Sequence, residues 1–457
     1  MQTYSRSHHA SSRPASPPGA WATTAPRGFL DAWGQLVGTA GLPTRPPRRG
    51  RKPRVPLTDL LPALTFHVMS GAGTLAEHFF QLFGAPLADS SWSDRRQRLP
   101  WEICADLMRR TLRPRATRRQ HPDAFWRGWR LLALDGTQFS LTNTPQITAT
   151  SPKARTRRGQ AAFAKITTTV LLELGLHNPL AAAIGRRGQS EWELAHGLVA
   201  QGPKRALVLA DRLYGCAPFA AHLLAACQRV GSHFLVRVPA TSKPRGLTRL
   251  KDGRRLIRVP VREKHRRQHI LQWLELRAIR VHVGRTGHRP SELRVWTPLR
   301  DPRTAPGLEL AQVYARRWEH ELYFGEVKRQ RRKSALLQSH TVETAAQEIA
   351  ALVLASALIA TERARAAGGD VPVLRVSFGK VLELVTPMWL TLQLGEGLLT
   401  TRQTDHMLKR AYALMRHCVT PRRRSRTCLR AVRQPVTRWP RLLQPQSVEG
   451  PWHFHVV

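Results

Sequence analysis

Three acidic residues in this chain stand where an acid is costly to bury. Asp135 lies inside the apolar run WRLLALDGTQFSL (129–141), and Asp211 stands near the end of RALVLADRLYG (205–215). Glu321 sits in YARRWEHELYFGEVKRQRRK (314–333), crowded by arginine and lysine. A carboxylate within or at the end of a buried strand is poorly solvated and repelled by any like neighbour. Something must neutralise it, either a buried arginine or a divalent cation. Either aspartate alone reads better as a turn residue, since an Asp opening a turn can bond backbone amides and DG is a common turn dipeptide. Two of them on strands of one sheet, with a third acid later, match the oxygen-donor set that holds two Mg²⁺ ions for phosphodiester chemistry.

Read as a helix, at about 100° per residue, the third segment places Tyr314, Arg317, Glu321 and Lys328 within a sector of roughly 60°. Trp318 and Leu322 flank this stripe on one side, Val313 and Phe324 on the other. Arg316, Glu319, Tyr323 and Glu326 are expected on the opposite face, towards solvent. A merely solvated helix is polar in one broad arc; here a narrow polar stripe lies between apolar shoulders, which points Glu321 inward. The plainer reading makes Arg317 and Glu321 a surface ion pair at i,i+4. Trp318 is expected to pack the helix.

A sheet is needed to hold the two aspartates. WRLLALDGTQFSL reads as a strand, and AKITTTVLLELGLHNPLAAAIGRRG as two more, turning near His177, Asn178 and Pro179. SEWELAHGLVAQ is helical, RALVLADRLYG a buried strand, APFAAHLLAACQRVG helical, and HFLVRV (233–238) a further strand. Three strands, helix, strand, helix, strand make an α/β unit with a mixed sheet and helices against it, spanning residues 119–238. Residues 239–300 break the rhythm with charged, β-leaning stretches and read as a β-rich insertion. Helix returns over 301–366, where the apolar run AALVLASALIA (350–360) is too short to span a bilayer and reads as a core helix. Residues 46–118 read as a helical domain, either a DNA reader or a cap that only packs on its neighbour. Residues 1–45 are expected to be a disordered basic tail, and 367–457 a C-terminal helical region with a basic tail.

The charge balance says what the acids work on. Lys and Arg number 73 against 30 Asp and Glu, a formal net charge of +43. Such a surplus calls for an anionic partner, and a polyphosphate is the economical one because each contact releases a counterion. Arginine-rich codon bias would inflate the excess without removing acids. The five cysteines, Cys104, Cys216, Cys227, Cys418 and Cys428, form no C-x-x-C pair. That speaks against a zinc ribbon and a disulfide scaffold and fits a reducing compartment. The N-terminal stretch has no apolar h-region, so the expected location is the cytoplasm, nucleoid-associated when bound to DNA.

Strand-borne LDGT with Asp135, strand-end LADRLY with Asp211, and Y-x-x-R-x-x-x-E-x-x-x-x-x-x-K at Tyr314, Arg317, Glu321 and Lys328 together resemble one family. It is the DDE transposases of the insertion-sequence-four family, relatives of the transposon-five transposase. The likeness spans most of residues 45 to 440, including SSWSDRRQRLPWE and the closing RAVRQPVTRWPR. It implies an RNase H-like core interrupted by a β-rich insertion between the second Asp and the Glu. It further implies that Asp135, Asp211 and Glu321 hold two Mg²⁺ (or Mn²⁺) ions, and that Tyr314, Arg317 and Lys328 grip DNA phosphates. The activity implied is cleavage at terminal inverted repeats of double-stranded DNA and strand transfer into a target, by a homodimer bridging two element ends. Trp273 and Trp296 in the insertion are candidates for supporting a distorted base.

Three other readings compete. A transposase-derived protein that binds DNA without cutting it would share the charge and most motifs, but retaining three acids near phosphate argues against it. A tyrosine recombinase would use Tyr314 as nucleophile with His282 and Arg285 as H-x-x-R; it leaves Asp135 and Asp211 unexplained. HFH (453–455) resembles a rolling-circle nuclease metal pair, but it stands alone at the end of the sequence.

Overall fold

The computed structural model describes residues 57–421, apart from 85, 157–158, 243, 251–254, 264, 267, 286–290, 331–335 and 396, together with 452–456. The expected N-terminal tail, residues 46–56 of the expected helical domain, Cys428 and the closing basic segment lie outside the described residues.

Four helices come first: α1 (Leu57–Met69), α2 (Leu75–Phe83), α3 (Asp89–Arg98) and α4 (Trp101–Thr111). The start of α2 is set by a capping box, in which Thr74 and Glu77 satisfy each other's backbone N–H groups; left-handed Gly84 ends it. Five strands and two helices follow: β1 (Trp129–Ser140), β2 (Lys165–Glu173), β3 (Asn178–Ile184), α5 (Glu191–Val199), β4 (Ala206–Ala210), α6 (Ala217–Arg229) and β5 (His233–Arg237). Their spatial order is β3-β2-β1-β4-β5, with β4 parallel to both β1 and β5 and β2 antiparallel to β1. This is the RNase H-like arrangement, in the element order read from the sequence.

The sheet does not stop there. Strands β6 (Arg245–Arg249), β7 (Arg255–Arg262), β8 (Ile270–Arg285) and β9 (Ser291–Thr297) form antiparallel pairs, and β9 joins β5 through Val295–Arg237 and Trp296–Val236. These strands lie in sequence between Asp211 and Glu321. Helices α7 (Gly307–Ala315), α8 (Trp318–Gln330), α9 (Val342–Ala367), α10 (Phe378–Leu394) and α11 (Thr401–His417) complete the chain, with a last strand, β10 (Trp452–Val456), on β8.

Both faces of β1 are buried, so its core residues are apolar without alternation. Leu131 and Ala133 face the side covered by α9 and the N-terminal helices, while Leu132 and Leu134 face α5 and α6. Each such leucine is worth about 1.5–3 kcal/mol when fully buried. Helices α1–α4 share one apolar core with the sheet through Leu60, Phe79 and Trp92, and Arg96 donates to the Thr344 carbonyl at the start of α9. Helix α9 runs for 26 residues, long and apolar enough to cross a membrane by composition, yet it is buried inside the protein. Its core role matches the expectation from the apolar run at its centre.

Candidate active site

Asp135 is the fifth residue along β1 from Leu131 and shares the face of Leu131 and Ala133, the side on which α7, α8 and α9 lie. Asp211 follows β4 directly and caps a single 3₁₀ turn, Arg212–Tyr214, its Oδ1 accepting from the Leu213 N–H at 2.6 Å. Since β1 and β4 are parallel neighbours with Leu134 opposite Ala210, Asp135 within β1 stands level with Asp211 just past the end of β4.

The segment with the third acid is not one straight helix. Between α7 and α8 the N–H groups of Arg316, Arg317, Glu319 and His320 bond the carbonyls three residues back, which tightens the chain and separates Tyr314 from Glu321. Arg317 sits at this joint. Its guanidinium donates to Asp135 Oδ2 at 2.8 Å and to Glu321 Oε1 at 2.7 Å, so it links the strand acid to the helix acid. The i,i+4 pair is therefore real and reaches the surface on one side only: the Arg317 side chain is 14% exposed, that of Glu321 40%.

Tyr314 is buried, and its hydroxyl donates to the Ala210 carbonyl at 3.3 Å, bracing the peptide just before Asp211. Burial raises its pKa, and Asp211 adds to the rise. Lys328 lies exposed two turns beyond Glu321, its Nζ 5.8 Å from the Phe139 ring centroid.

The opposite face of α8 corrects the sequence reading. Glu326 is buried, not solvent-facing; His177 Nδ1 donates to it at 2.6 Å and Arg363 at 3.2 Å. Tyr323 is buried against α9, its hydroxyl 3.0 Å from Ser356 Oγ, and Glu319 accepts from the Gly175 N–H and from Arg316. The cause is that α9 and the β2–β3 turn cover that side. Trp318 is corrected the other way: expected to pack, it is 58% exposed. Below it, His320 is fully buried and donates to the Val170 carbonyl of β2 at 3.0 Å; burial draws its pKa to about 3, so it is neutral. Trp296 is buried in the core and has no free face for a base, whereas Trp273 carries Arg245 and Arg258 over its ring, each 5.2 Å away.

A fourth acid was not foreseen. Glu191, at the first position of α5, accepts from the Tyr214 hydroxyl at 2.7 Å. Burial pushes the Asp135 carboxyl up to about 6, opposed by Arg317 and the Gly136 N–H and reinforced by the like charges of Glu191 and Asp211. Glu191 is also raised, first by burial and then by Asp211. The sequence signal was present in S-E-W-E, a capping box that opens a helix directly after the third strand.

The site is thus a set of hard oxygen donors where β4 ends beside β1, with a guanidinium standing between two of them where a cation belongs. Its chemistry suits a hard divalent metal ion. Among the described residues, no three His, Cys, Asp or Glu side chains close on one point.

The profile of the family described as the transposase DDE domain matches residues 126–358, from just before β1 to well into α9. The chain belongs to the DDE transposases. It is 28% identical over 361 residues to the transposase InsG for insertion sequence element IS4 of Escherichia coli (strain K12), covering 78% of each chain. It is 33% identical over 129 residues to the putative transposase InsZ of the same strain, covering 28% of this chain and 43% of that one. These relatives place it in the insertion-sequence-four group. The piggyBac transposase synaptic complex with hairpin DNA is a distant likeness, with 9% identity and a TM-score of 0.42 over 83% of this chain and 80% of that one. DDE transposase domains generally use divalent metal ions.

Proposed function

We propose that this transposase cleaves double-stranded DNA at the terminal inverted repeats of an insertion sequence and joins the freed ends to target DNA, with Asp135, Asp211 and Glu321 as its catalytic acids. The observation that carries this reading is the meeting of Asp135 and Glu321 on one guanidinium, from segments 186 positions apart in the chain. Two Mg²⁺ ions, or Mn²⁺ in their place, supply Lewis acidity and a lowered pKa for the attacking water or 3′-hydroxyl when bound.

The chain's own residues do the rest. Asp135 and Asp211 are fixed by adjacent parallel strands, and Glu321 by a helix anchored through His320. In the loaded state Arg317 turns from the acids to a DNA phosphate, for which its planar fork is suited. Lys328 adds a second phosphate contact on the exposed side of α8. Tyr314 holds the end of β4, and with it Asp211, beside the phosphates that Arg317 grips. The overall charge of +43 supports a phosphate-rich partner. A homodimer joining two element ends is part of the same reading.

The test is Mg²⁺-dependent nicking and strand transfer on duplexes carrying the element's terminal repeats. Wild type is expected to cut and join, and Asp211→Asn to bind the ends without cutting. Wild-type binding with no cleavage in Mg²⁺ or Mn²⁺ would make it a DNA-binding protein only. A covalent protein–DNA adduct lost in Tyr314→Phe would replace the metal mechanism.

A further inference from the structure

The proposed function gives no role to two residues in the aspartate motifs: Gly136, next to Asp135, and Tyr214, three residues after Asp211. Both are explained by Glu191. Along β1, Leu132 and Leu134 face α5 and α6, so the next residue on that face is 136. Gly136 does not have a left-handed φ, so its backbone does not require glycine. Its missing side chain is what the structure uses: a Cβ there would stand 2.3 Å from Glu191 Cδ and 2.5 Å from Oε2. The Glu191 carboxylate lies in the space the side chain leaves. On its other side the fully buried Tyr214 donates its hydroxyl to Glu191 Oε1 at 2.7 Å.

Glu191 is not there to cap its helix. Ser190 and Glu193 already form the reciprocal capping box of α5. An acid in a first turn gains from the helix dipole, but that gain does not require a glycine opposite and a tyrosine beside it. Nor does stability favour placing Glu191 near Asp135 and Asp211, whose charges repel it. Each aspartate motif therefore supplies an acid and a residue that seats Glu191, in a family that uses divalent metal ions.

We propose that Glu191 is a fourth carboxylate of the catalytic centre and holds a divalent cation together with Asp135 and Asp211. This rests on the metal reading of those two aspartates. Tyr214 is a positioning residue that fixes which oxygen of Glu191 faces the ion, as hydrogen-bonded neighbours of metal ligands commonly do.

Mn²⁺ binding by the full-length chain without DNA, followed by the electron paramagnetic resonance of the free ion, separates the possibilities. Melting temperatures in EDTA serve as the control for folding. Glu191→Gln is expected to weaken Mn²⁺ binding about tenfold or more, and Tyr214→Phe about tenfold. In EDTA, Glu191→Gln is expected to melt no lower than wild type, since it removes a like charge. If it binds Mn²⁺ as wild type while Asp135→Asn and Asp211→Asn lose the ion, the proposal is overturned and the metal reading stands. If both aspartate variants bind as wild type, the metal reading itself fails. Should Glu191→Gln not fold, Tyr214→Phe carries the test, and wild-type binding by that variant overturns the proposal.

Discussion

Arg317 meets Asp135 across the site, guanidinium to carboxylate, at 2.8 Å. The same group reaches Glu321, so its removal exposes two acids to each other and, on the proposed role, deprives the DNA of a phosphate contact. Arg317→Ala is expected to lower cleavage about 10²- to 10³-fold, the scale for losing one preorganised contact to developing charge. Arg317→Lys should recover little, because a single ammonium cannot bridge two carboxylates as the fork does. Single-turnover cleavage of end-bearing duplexes reads both variants; wild-type rates in Arg317→Ala would leave the residue only a structural link.

Lys328 offers a cleaner test of phosphate contact, since it is exposed on α8 beyond the acids. Lys328→Ala should weaken binding to all duplex sequences to a similar degree and reduce the salt slope by about one. Fluorescence anisotropy over a salt series measures it, and an unchanged slope would remove Lys328 from the DNA contacts.

On the inner side of the same helix, Glu326 accepts from His177 and from Arg363, all three buried. Removing a partner from a buried ion pair typically costs about 3–5 kcal/mol because the remaining charge is left without compensation. Glu326→Ala is expected to lose stability on that scale in urea unfolding, and Glu326→Gln less. The exposed pair Lys380–Glu383 is the contrast: Glu383→Ala should change stability by no more than about 1 kcal/mol.

The N-terminal helices carry a pH dependence of their own. His67 and His78 face each other with their Nδ1 atoms 2.9 Å apart. Burial, then His78 and Arg96, lower the His67 pKa to about 4, against smaller opposing effects of Gln338 and Asp89. Between pH 6.5 and about 4 the unfolded chain binds the proton and the folded one resists it. Stability is therefore full above pH 6.5 and falls as pH drops towards 4. Linkage gives a loss of about 2 kcal/mol between pH 7.5 and pH 5. Urea midpoints at the two pH values should show this in wild type and lose most of it in His67→Gln.

Much of the catalytic unit was legible because its signals are local. Strand and helix order from Trp129 to Arg237 follows from apolar runs and turn residues, and Asp135 and Asp211 stood out as acids in those runs. Periodicity also turned Glu321 away from Glu326 correctly. It could not say which side faced water, because that depends on α9 and the β2–β3 turn, distant in sequence. So Glu326 and Tyr323 were read as outer residues and Trp318 as inner. Glu191 was missed for the same reason: an acid in the first turn of a helix is unremarkable until Gly136 and Tyr214 are seen around it.

Helix α8 carries Glu321 and, five residues later, Glu326, about 140° apart around the helix axis. The inner acid is locked to His177 and Arg363, so it sets the rotational phase of the whole helix. Deleting or inserting one residue between them would keep the composition, the charge and the helix, yet turn Glu321 by about 100° out of the site. With Glu321 in its proposed role, the spacing between these two glutamates becomes a requirement in its own right, and length variants of this one segment should be inactive even where they fold.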